Sequence, residues 1–200
     1  MSAGVEPAGV AITERDTIGK IPPGKIAVWW FLASEIMVFG TLMGAYILFS
    51  FAHGDFAADG AHVKWRLGAF NTLVLVTSSL TMIMALASAR ARNLSRTRLF
   101  LLATVLLGIT FLCVKGYEYT TEIDEGFTPS TSIFWSFYFG MTGLHGLHVI
   151  GGIVINSILL VAALSRKPWD ILERRIECAG LYWHFVDVVW IFLFPLLYLT

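Results

Sequence analysis

Apolar residues along this chain do not alternate with polar ones; they run on. Five stretches are long enough to cross a bilayer, which takes about 20 mostly apolar residues at 1.5 Å of rise each. They cover about 26–51, 67–89, 99–117, 133–164 and 178–199. The fourth is the longest, so it is expected to tilt or protrude. Residues 1–25 hold Pro22, Pro23 and scattered charges with no apolar core of their own, which reads as a short polar tail rather than a cleaved leader. The loops are short, and the pattern predicts an all-α fold: one integral membrane bundle of five transmembrane helices over 26–200, with no internal repeat.

Composition agrees with this picture. The 200 residues are 56% hydrophobic and only 14% charged, against about 25% charged in a soluble domain. Fourteen basic residues balance fourteen acidic ones, so the electrostatic footprint of a nucleic-acid binder is missing. Location matters more than the sum. Arg15, Lys20, Lys25, Arg90, Arg92, Arg96, Arg98, Arg166, Lys167, Arg174 and Arg175 fall on one side of the predicted spans, whereas Lys64, Arg66, Lys115 and the acids Glu118, Glu122, Asp124 and Glu125 fall on the other. By the positive-inside rule the N-terminus is cytoplasmic and the C-terminus outside. Cys113 and Cys178 lie toward opposite faces, more than ~20 Å apart by helical rise, and are expected to be free, apolar-packed thiols.

Ionisable groups inside a bilayer are rare and usually face the protein interior. Five stand within these spans: Glu35 on the first, His145 and His148 on the fourth, His184 and Asp187 on the fifth. Counting from the outer ends puts both pairs at roughly 18 and 22 Å depth, level on antiparallel neighbours. Spacing of i, i+3 puts each pair on one helix side, so a hydrogen-bonded cluster between the two spans is the simplest geometry. Three uses stay open for it: a metal or haem site, a proton relay, or interhelical polar glue. Glu35, roughly 14 Å in, has no basic residue near it on its own helix. It suits either a protonated packing contact or a group that takes up or passes protons, and neither use needs another residue of the chain. Gly40 and Gly44, and Gly140, Gly143 and Gly146, predict close helix approach. Trp29, Trp30, Trp65, Trp135, Phe134 and Tyr138 are placed as an interfacial belt, and Pro195 is expected to kink the fifth span.

Two ordered motifs carry a resemblance. Thr142-Gly-Leu-His-Gly-Leu-His-Val149, followed by Trp183-His-Phe-Val-Asp-Val-Val-Trp190, resembles subunit III of cytochrome c oxidase, of the haem-copper oxidase superfamily. Ser34-Glu35 is similar to the family's intramembrane glutamate, and Gly116-Tyr-Glu-Tyr119 to its outer-end acidic motif, with Glu118 at its centre. The resemblance spans roughly 26–199. It implies a non-catalytic bacterial plasma-membrane subunit of a proton-pumping terminal oxidase, packed beside subunit I and in contact with membrane lipid. Haem and copper are then expected in partner subunits and no cofactor or metal in this chain. It also implies that Glu35 supports proton uptake and that His145, His148, His184 and Asp187 form a buried structural cluster. The mitochondrial form of the family has two further helices and a lipid cleft between them and the rest, so no lipid-binding residue carries over. Cytochrome c is the expected donor. The alternatives are the third subunit of a quinol oxidase or nitric-oxide-reductase-associated complex, or, further off, an independent membrane metalloenzyme or transporter.

Overall fold

The computed structural model describes residues 23–52, 56–165 and 169–199; most of the polar tail, including Arg15 and Lys20, and the loop residues Arg166 and Lys167 lie outside them. Helices make up almost all of it: α1 (Pro23–Ala52), the short α2 (Phe56–Gly60), α3 (Trp65–Arg90), α4 (Leu94–Asp124), α5 (Ile133–Leu164) and α6 (Trp169–Tyr198). The five long ones are apolar enough to cross a membrane, as the sequence predicted. Each extends beyond its apolar run at one end or both, except α5, because capping and ion pairs carry the helix into polar sequence. Asn93 accepts the Arg96 N–H at the start of α4 and Ser132 accepts the Trp135 N–H at the start of α5, each satisfying an orphan donor of the first turn. Beyond α4 the chain reverses at Gly126, whose φ of 94° a side-chain-bearing residue adopts poorly. There the Phe127 N–H reaches back to the Glu122 carbonyl.

Helices α3, α4, α5 and α6 pack in a ring, with α3 on α4 and α6, and α5 on α4 and α6. Helix α1 lies outside the ring, against α5 and α6. It contributes only three fully buried large side chains, Leu32, Phe39 and Tyr46, spaced by seven residues. The ring interior is aromatic: Phe111, Phe134, Trp135, Tyr138, Trp183 and Trp190 are all sealed from solvent. The outer surface of the bundle is apolar too, with Met37 and Leu48 of α1 both 72% exposed. An apolar surface of this kind suits acyl chains and is foreign to water.

Several packing expectations change. An added methyl group at Gly40, Gly44, Gly140 or Gly146 would meet nothing, and at Gly143 only the Tyr119 hydroxyl at 3.7 Å. None of these glycines is a point of close helix approach. Close approach falls instead on Gly68, where an added methyl would come 2.7 Å from Tyr198, and on Gly108 and Gly152, where it would come 2.9 and 2.5 Å from Trp183, because large rings in the ring interior demand the space. Of the expected interfacial belt, Trp29, Trp30 and Trp65 are exposed, but Phe134, Trp135 and Tyr138 are core residues. Cys113 is exposed rather than packed, Cys178 is half-buried, and both are free. Helix α6 continues through Pro195 without a break.

Candidate functional site

The ionisable residues within the bundle separate into three places. At the end where Arg90 and Lys25 lie, ion pairs tie α1 and α3 to α6: Lys25 to Glu177 at 2.8 Å and Arg90 to Glu177 at 3.5 Å. Arg98 donates to the Ala163 carbonyl at 2.9 Å, closing the C-terminal end of α5. Beside these contacts a groove of about 850 Å³ opens between α1, α5 and α6, walled by Phe31, Ile155, Ile158 and Tyr182, with Arg174 and Arg175 at its mouth.

Half-way along the helices, Glu35 meets a partner that the sequence did not suggest. Its Oε2 lies 3.0 Å from His148 Nε2, while His148 Nδ1 lies 2.8 Å from the Leu144 carbonyl. A neutral His148 has one N–H, and the carbonyl oxygen can only accept. The ring nitrogens therefore cannot both donate unless the imidazole is charged. Phe39 packs edge-on against the same ring at 5.3 Å, and Tyr182 donates to the His148 carbonyl at 2.9 Å. The pair bridges α1 and α5 and is only partly covered, at 16% and 14% side-chain exposure. Glu35 Oε1 is left without a partner among the described residues.

The expected four-residue cluster is not one cluster. At 3.6 residues per turn a spacing of three leaves side chains about 60° apart, enough here to send them to different neighbours. His148 turns to α1. His145 turns into the ring, sealed between Phe111 and Trp190 at 5.6 and 5.1 Å, with neither ring nitrogen hydrogen-bonded. His184 turns to α3, where Nδ1 and Ser79 Oγ are 2.6 Å apart. Asp187, one turn on, faces the same Ser79 without either carboxyl oxygen in hydrogen-bond geometry.

The tightest polar constellation lies at the other end of the bundle and surrounds Glu118. Lys115 donates to Glu118 Oε2 at 3.1 Å, to Tyr138 Oη at 2.8 Å and to Tyr198 Oη at 2.5 Å. The Tyr138 hydroxyl lies 3.0 Å from both Glu118 Oε1 and Glu122 Oε1, and Tyr198 donates to Glu118 Oε2 at 3.2 Å. The rings of Tyr119, Tyr138, Trp190 and Tyr198 surround the ammonium at 4.4 to 5.7 Å, a cation–π cage. Glu118 and Glu122 are wholly buried. The outer-end acidic motif is therefore a closed network joining α4, α5 and α6. Sequence reasoning placed Lys115 and Glu122 in a polar margin because they sit near a span's end; their i, i+3 and i, i+4 spacing to Glu118 was the available signal.

An all-helical bundle of five membrane spans, with half-covered and sealed polar contacts but no three converging His, Cys, Asp or Glu among the described residues, defines a multi-pass membrane protein. The sequence profile of cytochrome c oxidase subunit III matches residues 23–200, and the chain belongs to that family. It is 35% identical to cytochrome c oxidase subunit 3 of Alkalihalophilus pseudofirmus, over 87% of this chain and 85% of the relative. It is 34% identical to a probable cytochrome c oxidase subunit 3 of Nocardia farcinica, over 99% and 98%. Similarity extends to a probable quinol oxidase subunit 3 of Staphylococcus haemolyticus, at 33% over 88% of each chain. The role is that of a third subunit in a multi-subunit haem-copper oxidase, an oxidoreductase as a complex.

Proposed function

We propose that the chain packs beside subunit I of a cytochrome c oxidase in a bacterial plasma membrane, N-terminus cytoplasmic, and supports proton uptake and the durability of the catalytic subunit. It carries no redox centre; haem and copper belong to the partners. The observation that favours this reading is the Glu35–His148 pair. A carboxyl roughly 18 Å along α1 from Pro23 is costly to leave against lipid. It is held by one oxygen with the other free, on the helix that the ring grips least. Such a group is placed to exchange protons with, or hydrogen-bond to, a neighbouring subunit. The groove with Arg174 and Arg175 at its mouth suits an acyl chain with an anionic headgroup, which keeps membrane lipid among the partners.

Mild-detergent purification through a tag on this chain tests the reading. A large haem-bearing polypeptide is expected to travel with it, and the chain freed from that polypeptide is expected to show no haem absorbance and no bound copper. Stoichiometric haem or metal in the isolated chain would replace the reading with a self-contained metalloenzyme.

A further inference from the structure

Hydrogen atoms can be counted in the network around Lys115. An ammonium has three, and all three are placed: on Glu118 Oε2, on Tyr138 Oη and on Tyr198 Oη. Tyr198 has one, directed to Glu118 Oε2 at 3.2 Å. Tyr138 also has one, yet its hydroxyl oxygen lies 3.0 Å from two carboxyl oxygens, Glu118 Oε1 and Glu122 Oε1. The 3.4 Å approach of Tyr138 to Tyr198 supplies no hydrogen, because that of Tyr198 is already placed. One of the two contacts of Tyr138 to a carboxyl therefore lacks a hydrogen unless the carboxyl brings its own.

Charge points the same way. With both acids ionised the network would hold two anions against one cation, and Glu118 and Glu122 are wholly buried. Lys64, the nearest charge from the start of α3, is committed to Glu125 at 2.7 Å. Glu122 also lies in the last turn of α4, where unpaired carbonyls make a helix end negative. The partners decide which acid holds the proton. Glu118 accepts at both oxygens, from Lys115 and Tyr198 at one and from Tyr138 at the other, as suits a carboxylate. Glu122 touches only Tyr138, and its Oε2 is buried with no partner among the described residues. A bare carbonyl oxygen is a smaller loss than a half-bare carboxylate. We propose that Glu122 is a proton-binding site, with the proton on Oε1 and donated to Tyr138 Oη, while Tyr138 donates to Glu118 Oε1. Tyr138 Oη then accepts from Lys115 and Glu122 and donates once, which is its full capacity. Lys115 and Glu118 form the ion pair, the network is neutral as a whole, and the bound proton fastens the end of α4 to α5.

The test uses the assembled complex at neutral pH. Glu122→Gln keeps a neutral donor, an amide N–H, where the acid has its proton. Its infrared difference from the unaltered complex is expected to show loss of a protonated-carboxyl C=O stretch and no loss of a carboxylate band, with heavy-carbon labelling of glutamate assigning the bands. On heating, complexes with Glu122→Gln are expected to keep this chain as well as the unaltered complex does. Complexes with Glu118→Gln, which strips Lys115 of its carboxylate, are expected to lose it several-fold faster. Tyr138→Phe removes the acceptor of the acid's hydrogen bond and is expected to move the same C=O stretch to higher frequency; should Glu122→Gln not assemble, that movement decides. Loss of a carboxylate band in Glu122→Gln, equal loss of the chain from the Glu118→Gln and Glu122→Gln complexes, or a C=O stretch unmoved by Tyr138→Phe would overturn the proposal.

Discussion

Two ionisable contacts inside the same bundle are built in opposite ways. Around Lys115 helices α4, α5 and α6 each supply a polar partner, an aromatic cage closes over the ammonium, and Glu118 and Glu122 see no solvent. Around Glu35 there is one imidazole, one aromatic edge and an open side. The first arrangement joins α4, α5 and α6, and its one unpartnered oxygen, Glu122 Oε2, is buried away from the surface. The second fastens a peripheral helix and keeps a carboxyl oxygen available. The sealed contact thus joins three helices of the ring, and the other joins α1 to α5 through a single side-chain pair.

Four single substitutions would break or sharpen that contrast. Lys115→Met leaves two buried carboxyls without their cation, and removing one partner of a buried ion pair costs about 3–5 kcal/mol; thermal unfolding followed by circular dichroism should show the loss, and adding Glu118→Gln should recover part of it. Gly152→Ala drives a methyl into Trp183 and is expected to destabilise by about 1–3 kcal/mol. Gly40→Ala, on the open face of α1, should leave the same melting transition unmoved. Glu35→Gln keeps a hydrogen-bonding group opposite the His148 imidazole, so its effect on unfolding is expected to stay at about 1 kcal/mol, the size of one intramembrane hydrogen bond. Its signature belongs in turnover: the assembled oxidase should take up protons more slowly or inactivate sooner. An unchanged rate and lifetime would make Glu35 a packing residue.

Five spans were legible because continuous apolar runs of about 20 residues leave no other fold in lipid. The family was legible because the His145–His148 and Trp183–Asp187 motifs have fixed spacing on fixed spans. What the histidines touch was not, since a spacing of three is compatible with one shared neighbour or two. Helix rotation, set by where Trp183 and Trp190 fit against Gly108, Gly152 and Phe111, decided it. The glycine stripes misled for a related reason. Small residues permit close contact but do not choose which helix makes it, and within this chain the partners of Gly68, Gly108 and Gly152 are aromatic residues far away in sequence.

The seven-residue spacing of Leu32, Phe39 and Tyr46 also bears on biogenesis. The helices that grip α1, α5 and α6, begin about eighty residues or more after it ends. During synthesis α1 must therefore wait alone in the bilayer, with Glu35 unmatched, while α3 and α4 form their hairpin. Only the arrival of α5 brings His148, and only α6 brings Glu177 for Lys25. A chain that ends before α5 would therefore leave the Glu35 carboxyl without its imidazole, and an unmatched acid inside a membrane is costly.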